Sequence, residues 1–250
     1  MTLNGAVRCF LENTFPRQMG NVIVTEFPKS GGTWVGQLLA HILEINFPRN
    51  KFPQLSRQVL HCHRTWFLDE TVPVTVLRDG RDVYISYFYH SLFENDLKNQ
   101  EHVRKTRRKF RGKREVDIKN DLADFIEYVH TPHLHGNLNW SAFVESRLGR
   151  GTHFVRYENL LDKPLDTLND LLVSYGIKNI KEKQLLKAID AFDFSKQRQR
   201  QGKALQNRWL RVGKKHQWKT EYSQDARDAF NQFNFSTLQK LGYASSIDWK

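Results

Sequence analysis

The sequence predicts an α/β fold built on a central parallel sheet with helices on both faces. Two observations lead there. Short β-branched runs alternate with longer stretches whose apolar residues recur at helical spacing, as in successive βαβ units. No repeat or low-complexity linker interrupts the 250 residues, so residues 1–250 are expected to form a single domain.

The elements follow in order. Asn21–Glu26 is β-branched, is closed by Phe27-Pro28, and reads as a buried strand. After a small-residue turn, Trp34, Val35, Leu38, Leu39, Ile42 and Leu43 mark one face of a helix. Gln58–Cys62 and Pro73–Leu77 are further strands, and Arg81–Phe93 is a helix beginning just after Asp79-Gly80. Thr152–Tyr157 is the next strand. Pro164–Tyr175 is a helix with Pro at its start and Gly176 at its end, and Gln224–Leu241 is a helix stopped by Gly242. In such sheets ligands gather at the carboxyl ends of the strands, so those ends hold the candidate chemistry.

Composition narrows the function. Seventeen Phe, eight Tyr and six Trp exclude a disordered chain. The 39 Lys+Arg against 27 Asp+Glu give a net charge of +12, which points to an anionic ligand. Cys9 and Cys62 have neither disulfide-framework nor zinc spacing, which suits a reducing compartment. No segment has the length of apolar sequence needed for a signal peptide or membrane span, so a cytoplasmic protein with no membrane partner is expected. His130, His133 and His135 have no interleaved Cys or carboxylate, and no metal is expected.

Phe27-Pro-Lys-Ser-Gly-Gly-Thr-Trp34 follows the first strand. Its glycines let backbone N–H groups converge, the helix beginning there adds its positive end, and Lys29 adds a full charge. A Gly-Gly turn alone is also an ordinary strand-to-helix connection. The GxxxxGK[ST] pattern is absent, which argues against an ATPase or small-molecule kinase. At the end of the third strand, Arg78 is followed eight residues later by Ser86, about two helical turns up the next helix. A guanidinium and a hydroxyl so placed suit a phosphate, although an Arg–Asp surface turn is the plainer reading.

Taken together, FPKSGGTWV and LRDGRDVYISYFYHS resemble the cofactor signatures of sulfotransferases that use 3′-phosphoadenosine 5′-phosphosulfate (PAPS). Arg156-Tyr-Glu-Asn-Leu160 looks like that family's (F/R)YEDL strand end, and Arg211–Lys219 is similar to its RKGxxGDWK segment. The resemblance implies a three-layer P-loop NTPase-like fold. It implies a loop of Lys29, Ser30, Gly31, Gly32 and Thr33 around the 5′-phosphosulfate. Trp34 and Tyr157 are implied at the adenine, with a second aromatic from Phe192 or Phe194. Arg78, Ser86, Arg211 and Gly213 are implied at the 3′-phosphate. Lys29 becomes the cation at the leaving phosphate, restrained by Ser86 until acceptor binds, and 3′,5′-bisphosphate (PAP) is the product.

Sulfuryl transfer also needs a base for the acceptor proton. His61-Cys62-His63 stands where the family has a KTH-like tripeptide, so the resemblance gives that role to His63, with His61 replacing the Lys. An imidazole titrates in the right range. A His63 that merely satisfies a loop, with Asp69 or Glu70 as base, is the alternative. The acceptor is expected to be a small molecule bearing a hydroxyl or amine, bound by the loops 49–57, 92–120 and 130–139.

The charge is local. Lys98–Arg114 carries nine basic residues and one acidic, and Lys196–Lys219 carries nine basic and no acidic residue, so the rest of the chain is net acidic. The first run raises a nucleic-acid reading, but only Phe110 interleaves it and single-strand binding needs more aromatics; no nucleic-acid partner is expected. A lid or acceptor loop, or a solvated helix face, are its other readings.

Overall fold

A computed structural model describes Val7, residues 20–49, 51–54, 56–67, 72–92, 101–110, 116–131 and 139–193, Lys196 and residues 213–249. The chain divides into two compact units, residues 1–78 with 146–197, and residues 79–145 with 198–250.

The first unit holds four strands, β1 (Val22–Glu26), β2 (Val59–Cys62), β3 (Val74–Leu77) and β4 (His153–Arg156), in one parallel sheet of order β2-β1-β3-β4. Successive β1 side chains alternate between faces, as a pleated strand requires. Val22 and Val24 join Val59, Val74, Val76 and Val155 under α1 (Gly32–Ile42), while Ile23 meets Leu60 and Cys62 in a separate cluster. The first cluster is completed by α6 (Tyr157–Asp162), α7 (Pro164–Ser174) and α8 (Glu182–Ala191) through Leu160, Leu168, Leu172 and Leu185. Because β2 lies on one side of β1 and β3 on the other, the order reverses between β1 and β3. That is the switch point where a parallel sheet leaves a crevice at its carboxyl edge.

The second unit is helical: α2 (Gly80–Leu92), α3 (Glu101–Phe110), α4 (Ile118–Val129), most of α5 (Trp140–Arg147), α9 (Trp218–Glu221) and α10 (Gln224–Lys240). Its core is aromatic, with Tyr84, Phe88, Phe125, Trp140, Phe143 and Phe230 all buried. Gly80 is required at the start of α2, because a Cβ there would lie 2.8 Å from the Trp140 ring.

Three expectations change. The expected loop over 92–120 contains the helix α3, which buries Val103 and Thr106 and exposes Arg104, Lys105, Arg108 and Lys109. Its charge lies on a solvated helix face. Tyr157 opens a helix instead of closing a strand. Asp79, Arg81 and Asp82, read as a surface turn in the plainer view, are at most 2% exposed. Asp79 grips Arg81 through both carboxylate oxygens (2.9 and 2.7 Å), and the guanidinium lies 3.7 Å over the Trp218 ring and 4.8 Å over Trp249. Asp82 accepts the backbone N–H groups of His216 (2.7 Å) and Trp218 (3.2 Å). The strand-end motif therefore holds the distant Gly213–Trp218 segment in place.

His130 serves the core. Asn234 Nδ2 donates to its Nε2 (3.2 Å), so the Tyr84 hydroxyl 2.7 Å away donates to the same lone pair, and the ring stacks on Phe233 at 4.3 Å. Burial holds its pKa down at about 4, so it is a neutral acceptor. His133 and His135 lie outside the described residues.

Removing the Asp82 carboxylate strands the buried N–H of Trp218 and the part-buried N–H of His216. Asp82→Ala is expected to cost about 3 kcal/mol and to lower Tm by roughly 5–10 °C, with Asp82→Asn about half as severe because one acceptor remains. Thermal unfolding followed by circular dichroism checks this, and an unchanged Tm would show that Asp82 does not hold the segment.

Candidate functional site

The carboxyl ends of all four strands carry polar or aromatic groups. β1 ends in Glu26 and runs into the Lys29 loop, β2 runs into His63, β3 into Arg78 and β4 into Tyr157. Parallel pairing brings these ends to one edge of the sheet. Register sets Thr25 beside Cys62 and Glu26 beside Val76.

The loop is tightly built. Lys29 has φ +76° and Gly31 φ +108°, the left-handed region that disfavours residues with a Cβ. Both glycines are also required by contact. A Cβ on Gly31 would lie 2.7 Å from the Tyr157 ring, and one on Gly32 would lie 2.8 Å from the Glu26 carboxyl and 2.9 Å from His61 Nε2. Ser30 donates its N–H to Phe27 O (3.1 Å), and Trp34 donates its N–H to Gly31 O (3.0 Å). Gly32 donates its N–H to Glu26 Oε2 at 2.6 Å.

Arg78 ties β3 to this loop. Its Nη1 donates to the Lys29 carbonyl (3.2 Å) and its guanidinium lies 4.4 Å over the Tyr157 ring. Tyr157 in turn meets Trp34 edge-on at 5.7 Å, and Trp34 Nε1 donates to Phe192 O (3.1 Å). Of the residues expected to hold the cofactor, Lys29 to Trp34, Arg78 and Tyr157 thus form one connected group, with Phe192 at its border. Ser86 on α2 and Gly213 (φ +62°) belong to the second unit. Phe194, Arg211, Asp69 and Glu70 lie outside the described residues.

The candidate base sits beside the loop. His63 Nδ1 is 3.0 Å from the Glu26 carbonyl oxygen. A carbonyl only accepts, so Nδ1 carries the proton and a neutral His63 keeps its lone pair on Nε2. Desolvation and the charge of His61 lower the His63 pKa, and Glu26 opposes them through its charge and its carbonyl. The residue reaches the surface although its ring is desolvated beside Glu26 and His61, and its pKa is held at about 4, so it is neutral. Its backbone is braced: Thr25 Oγ1 donates to Arg64 O (2.8 Å), and buried Arg147 donates to Thr65 O (3.2 Å) while lying 5.3 Å from the Phe67 ring.

Sequence reading passes over Glu26. Its carboxylate takes Gly32 N–H on one oxygen and lies 2.9 Å from His61 Nε2 on the other, and the His61 and His63 rings meet edge-on at 4.9 Å. Burial pushes its carboxyl up, but the hydrogen bond and charge of His61, helped by His63 and Gly32 N–H, hold its pKa at about 2. Donor atoms of Glu26, His61 and His63 lie within 4.8 Å of one another. Each carboxylate oxygen already accepts an N–H, so the group is a closed hydrogen-bonded network. The one available signal was an acid at the end of an otherwise apolar, β-branched run.

The sulfotransferase domain family matches residues 59–242, and the chain belongs to that family and is a sulfotransferase. The matched span holds His61–His63, Arg78–Ser86, Tyr157 and Gly213; the Lys29 loop precedes it. Among solved structures, mouse sulfotransferase SULT7A1 complexed with PAP is similar over 95% of this chain and 89% of that one, at 15% identity and TM-score 0.65. Retinol dehydratase with androsterone and inactive cofactor PAP is similar over 96% and 85%, at 13% identity and TM-score 0.63. The same enzyme with retinol and PAP gives 14% identity and TM-score 0.62 over the same shares. These likenesses establish a shared α/β fold. No curated protein sequence matches significantly. Among the described residues, no helix is long and apolar enough to cross a membrane.

Gly31→Ala meets both strain and the Tyr157 ring, and is expected to cost about 3 kcal/mol. Gly176→Ala has the same kind of φ (+76°) with nothing within 4 Å of the new Cβ, and should cost only about 1 kcal/mol. Comparing the two in denaturant unfolding separates packing from backbone strain; equal losses would remove the Tyr157 contact as a cause.

Proposed function

We propose that this sulfotransferase moves the sulfuryl group of PAPS to a hydroxyl or amine of a small-molecule acceptor, in the cytoplasm and with residues 1–250 acting as one domain. One observation carries the reading. At the switch point of the sheet, Arg78 from β3 bonds the Lys29 carbonyl of the β1 loop, and Tyr157 and Trp34 lie against them. A cofactor with roughly four negative charges and an adenine needs this combination of cations, helix N-terminus and aromatic rings. The similar structures contain PAP, and one protein among them binds the small molecules androsterone and retinol. Two cysteines without disulfide or zinc spacing suit a reducing compartment.

The residues divide the work. Lys29, Ser30, Gly31, Gly32 and Thr33 hold the phosphosulfate end, and Lys29 neutralises charge on the leaving phosphate. Trp34, Tyr157 and Phe194 take the adenine. Arg78, Ser86, Arg211 and Gly213 take the 3′-phosphate, where a planar guanidinium can bind two oxygens. PAPS supplies the transferable group. His63, neutral and with its lone pair on Nε2, accepts the acceptor proton. Its exposure and the tautomer set by the Glu26 carbonyl favour it over a purely structural histidine.

PAP is expected to raise Tm by several degrees and ATP to raise it much less; equal stabilisation by ATP counts against the reading. His63→Ala should cut turnover of labelled PAPS, assayed across a panel of phenols, alcohols and amines, at least 100-fold while PAP affinity stays within threefold. Retained turnover would move the base to Asp69, Glu70 or His61.

A further inference from the structure

Glu26 places a full negative charge at the mouth of a loop read as a binding site for a polyanion. Its side chain is only 5% exposed, and although burial raises its carboxyl, the contacts with His61 and Gly32 N–H favour the carboxylate. It is also as close to the loop as a side chain can be, since Oε2 accepts the Gly32 N–H that opens α1. A helix N-terminus attracts an anion, and here the first anion it meets is the chain's own. An incoming phosphosulfate shares that helix end with the carboxylate. At such a distance, in a partly desolvated site, two like charges repel strongly.

A buried carboxylate persists only when it is paired. His61 supplies the partner. Its Nε2 lies 2.9 Å from Oε1, its side chain is 6% exposed, and it stands on β2 beside the strand that carries Glu26. Phe47 and His63 close the other sides of the ring edge-on, at 6.5 and 4.9 Å. Arg49 is a further cation whose charge acts on both Glu26 and His63.

Resting on the PAPS reading above, we propose that Glu26 and His61 form a charge-setting pair for donor binding. His61 Nε2 lies against Glu26 Oε1, and in its protonated form His61 cancels the Glu26 charge at the Gly32 amide, so that the loop can admit the polyanionic donor. Glu26 is then a positioning and affinity-setting residue. It fixes the start of α1 through Gly32 and holds the His61 ring against His63, and it opposes the donor wherever His61 fails to neutralise it. This gives His61 a role separate from that of the base, and explains why a residue able to carry charge stands two positions before His63.

The pair is tested by calorimetric titration of PAP at fixed pH and ionic strength, using the full chain and four variants, with Tm recorded for each. Glu26→Gln keeps an acceptor for Gly32 N–H but removes the charge, and is expected to tighten PAP binding at least fivefold. His61→Gln keeps an N–H for Glu26 but cannot carry charge, and is expected to weaken it at least fivefold. His61→Lys restores the charge and should return the affinity to within twofold of the unaltered protein. In Glu26→Gln/His61→Gln, the second substitution should change affinity less than twofold, because no charge remains to be cancelled. A merely structural role lowers Tm in all variants without this pattern of opposite signs. If Glu26→Gln leaves PAP affinity unchanged or weakens it, or if His61→Gln acts equally in both backgrounds, the proposal is overturned. If the unaltered protein does not bind PAP, it is the PAPS reading itself that fails.

Discussion

The hydrogen bond from Gly32 N–H to the Glu26 carboxylate is the constraint on which the site depends. It is short, at 2.6 Å, and buried, and it joins the last residue of β1 to the first residue of α1. Everything between them is thereby forced into a narrow turn, which is why Lys29 and Gly31 adopt positive φ. Gly32 has no Cβ because Glu26 and His61 occupy that space. The same residue reaches the base from its other side, through its carbonyl to His63 Nδ1. The Lys29 loop and His63 are therefore two attachments of one residue, and neither can shift without disturbing the other.

Much of this architecture is legible in the sequence. Each strand lies within one residue of its expected limits, because a β-branched run between turn residues has few other ways to bury itself. The helices at 32–42, 80–92, 164–174 and 224–240 are equally plain from their apolar spacing or their Pro and Gly punctuation. Two of the missed helices, α3 and α4, show why others escape notice. In α3 Val103 and Thr106 are buried, and five Lys and Arg residues hide that narrow stripe. In α4 the apolar face of Leu122, Phe125 and Ile126 is interrupted in sequence by Asp121, Asp124 and Glu127. A charged helix whose stability comes from tertiary packing gives little local signal.

At the site, residue types that bind by charge were legible and those that work by position were not. Lys29, Arg78 and His63 stand out because a cation or an imidazole at a strand end invites a chemical reading. Glu26 carries the opposite sign from the ligand, so nothing in its type marks it. Asp82 is similar: in sequence it belongs to an Arg–Asp turn, and its use emerges only when residues 216 and 218 arrive from far along the chain. Arg147 braces the segment after His63 through Thr65 O and the Phe67 ring, 80 or more residues away in sequence.

Both units solve the same problem in the same way. A segment that must present backbone or charge to an anion cannot be fastened by its own cations without spending them. The first unit fastens its loop with the Glu26 carboxylate on Gly32 N–H. The second fastens the segment beginning at Gly213 with the Asp82 carboxylate on two backbone N–H groups, those of His216 and Trp218. Each carboxylate has a nitrogen partner or a cation in the same cluster, His61 Nε2 beside Glu26 and, next to Asp82, the Arg81 guanidinium gripped by Asp79 and stacked on Trp218. Charge-assisted bonds to backbone N–H are stronger than neutral ones, so two short acidic anchors can order long basic segments. Glu26 and Asp82 thus act as fasteners of backbone, each ordering a segment that carries basic side chains.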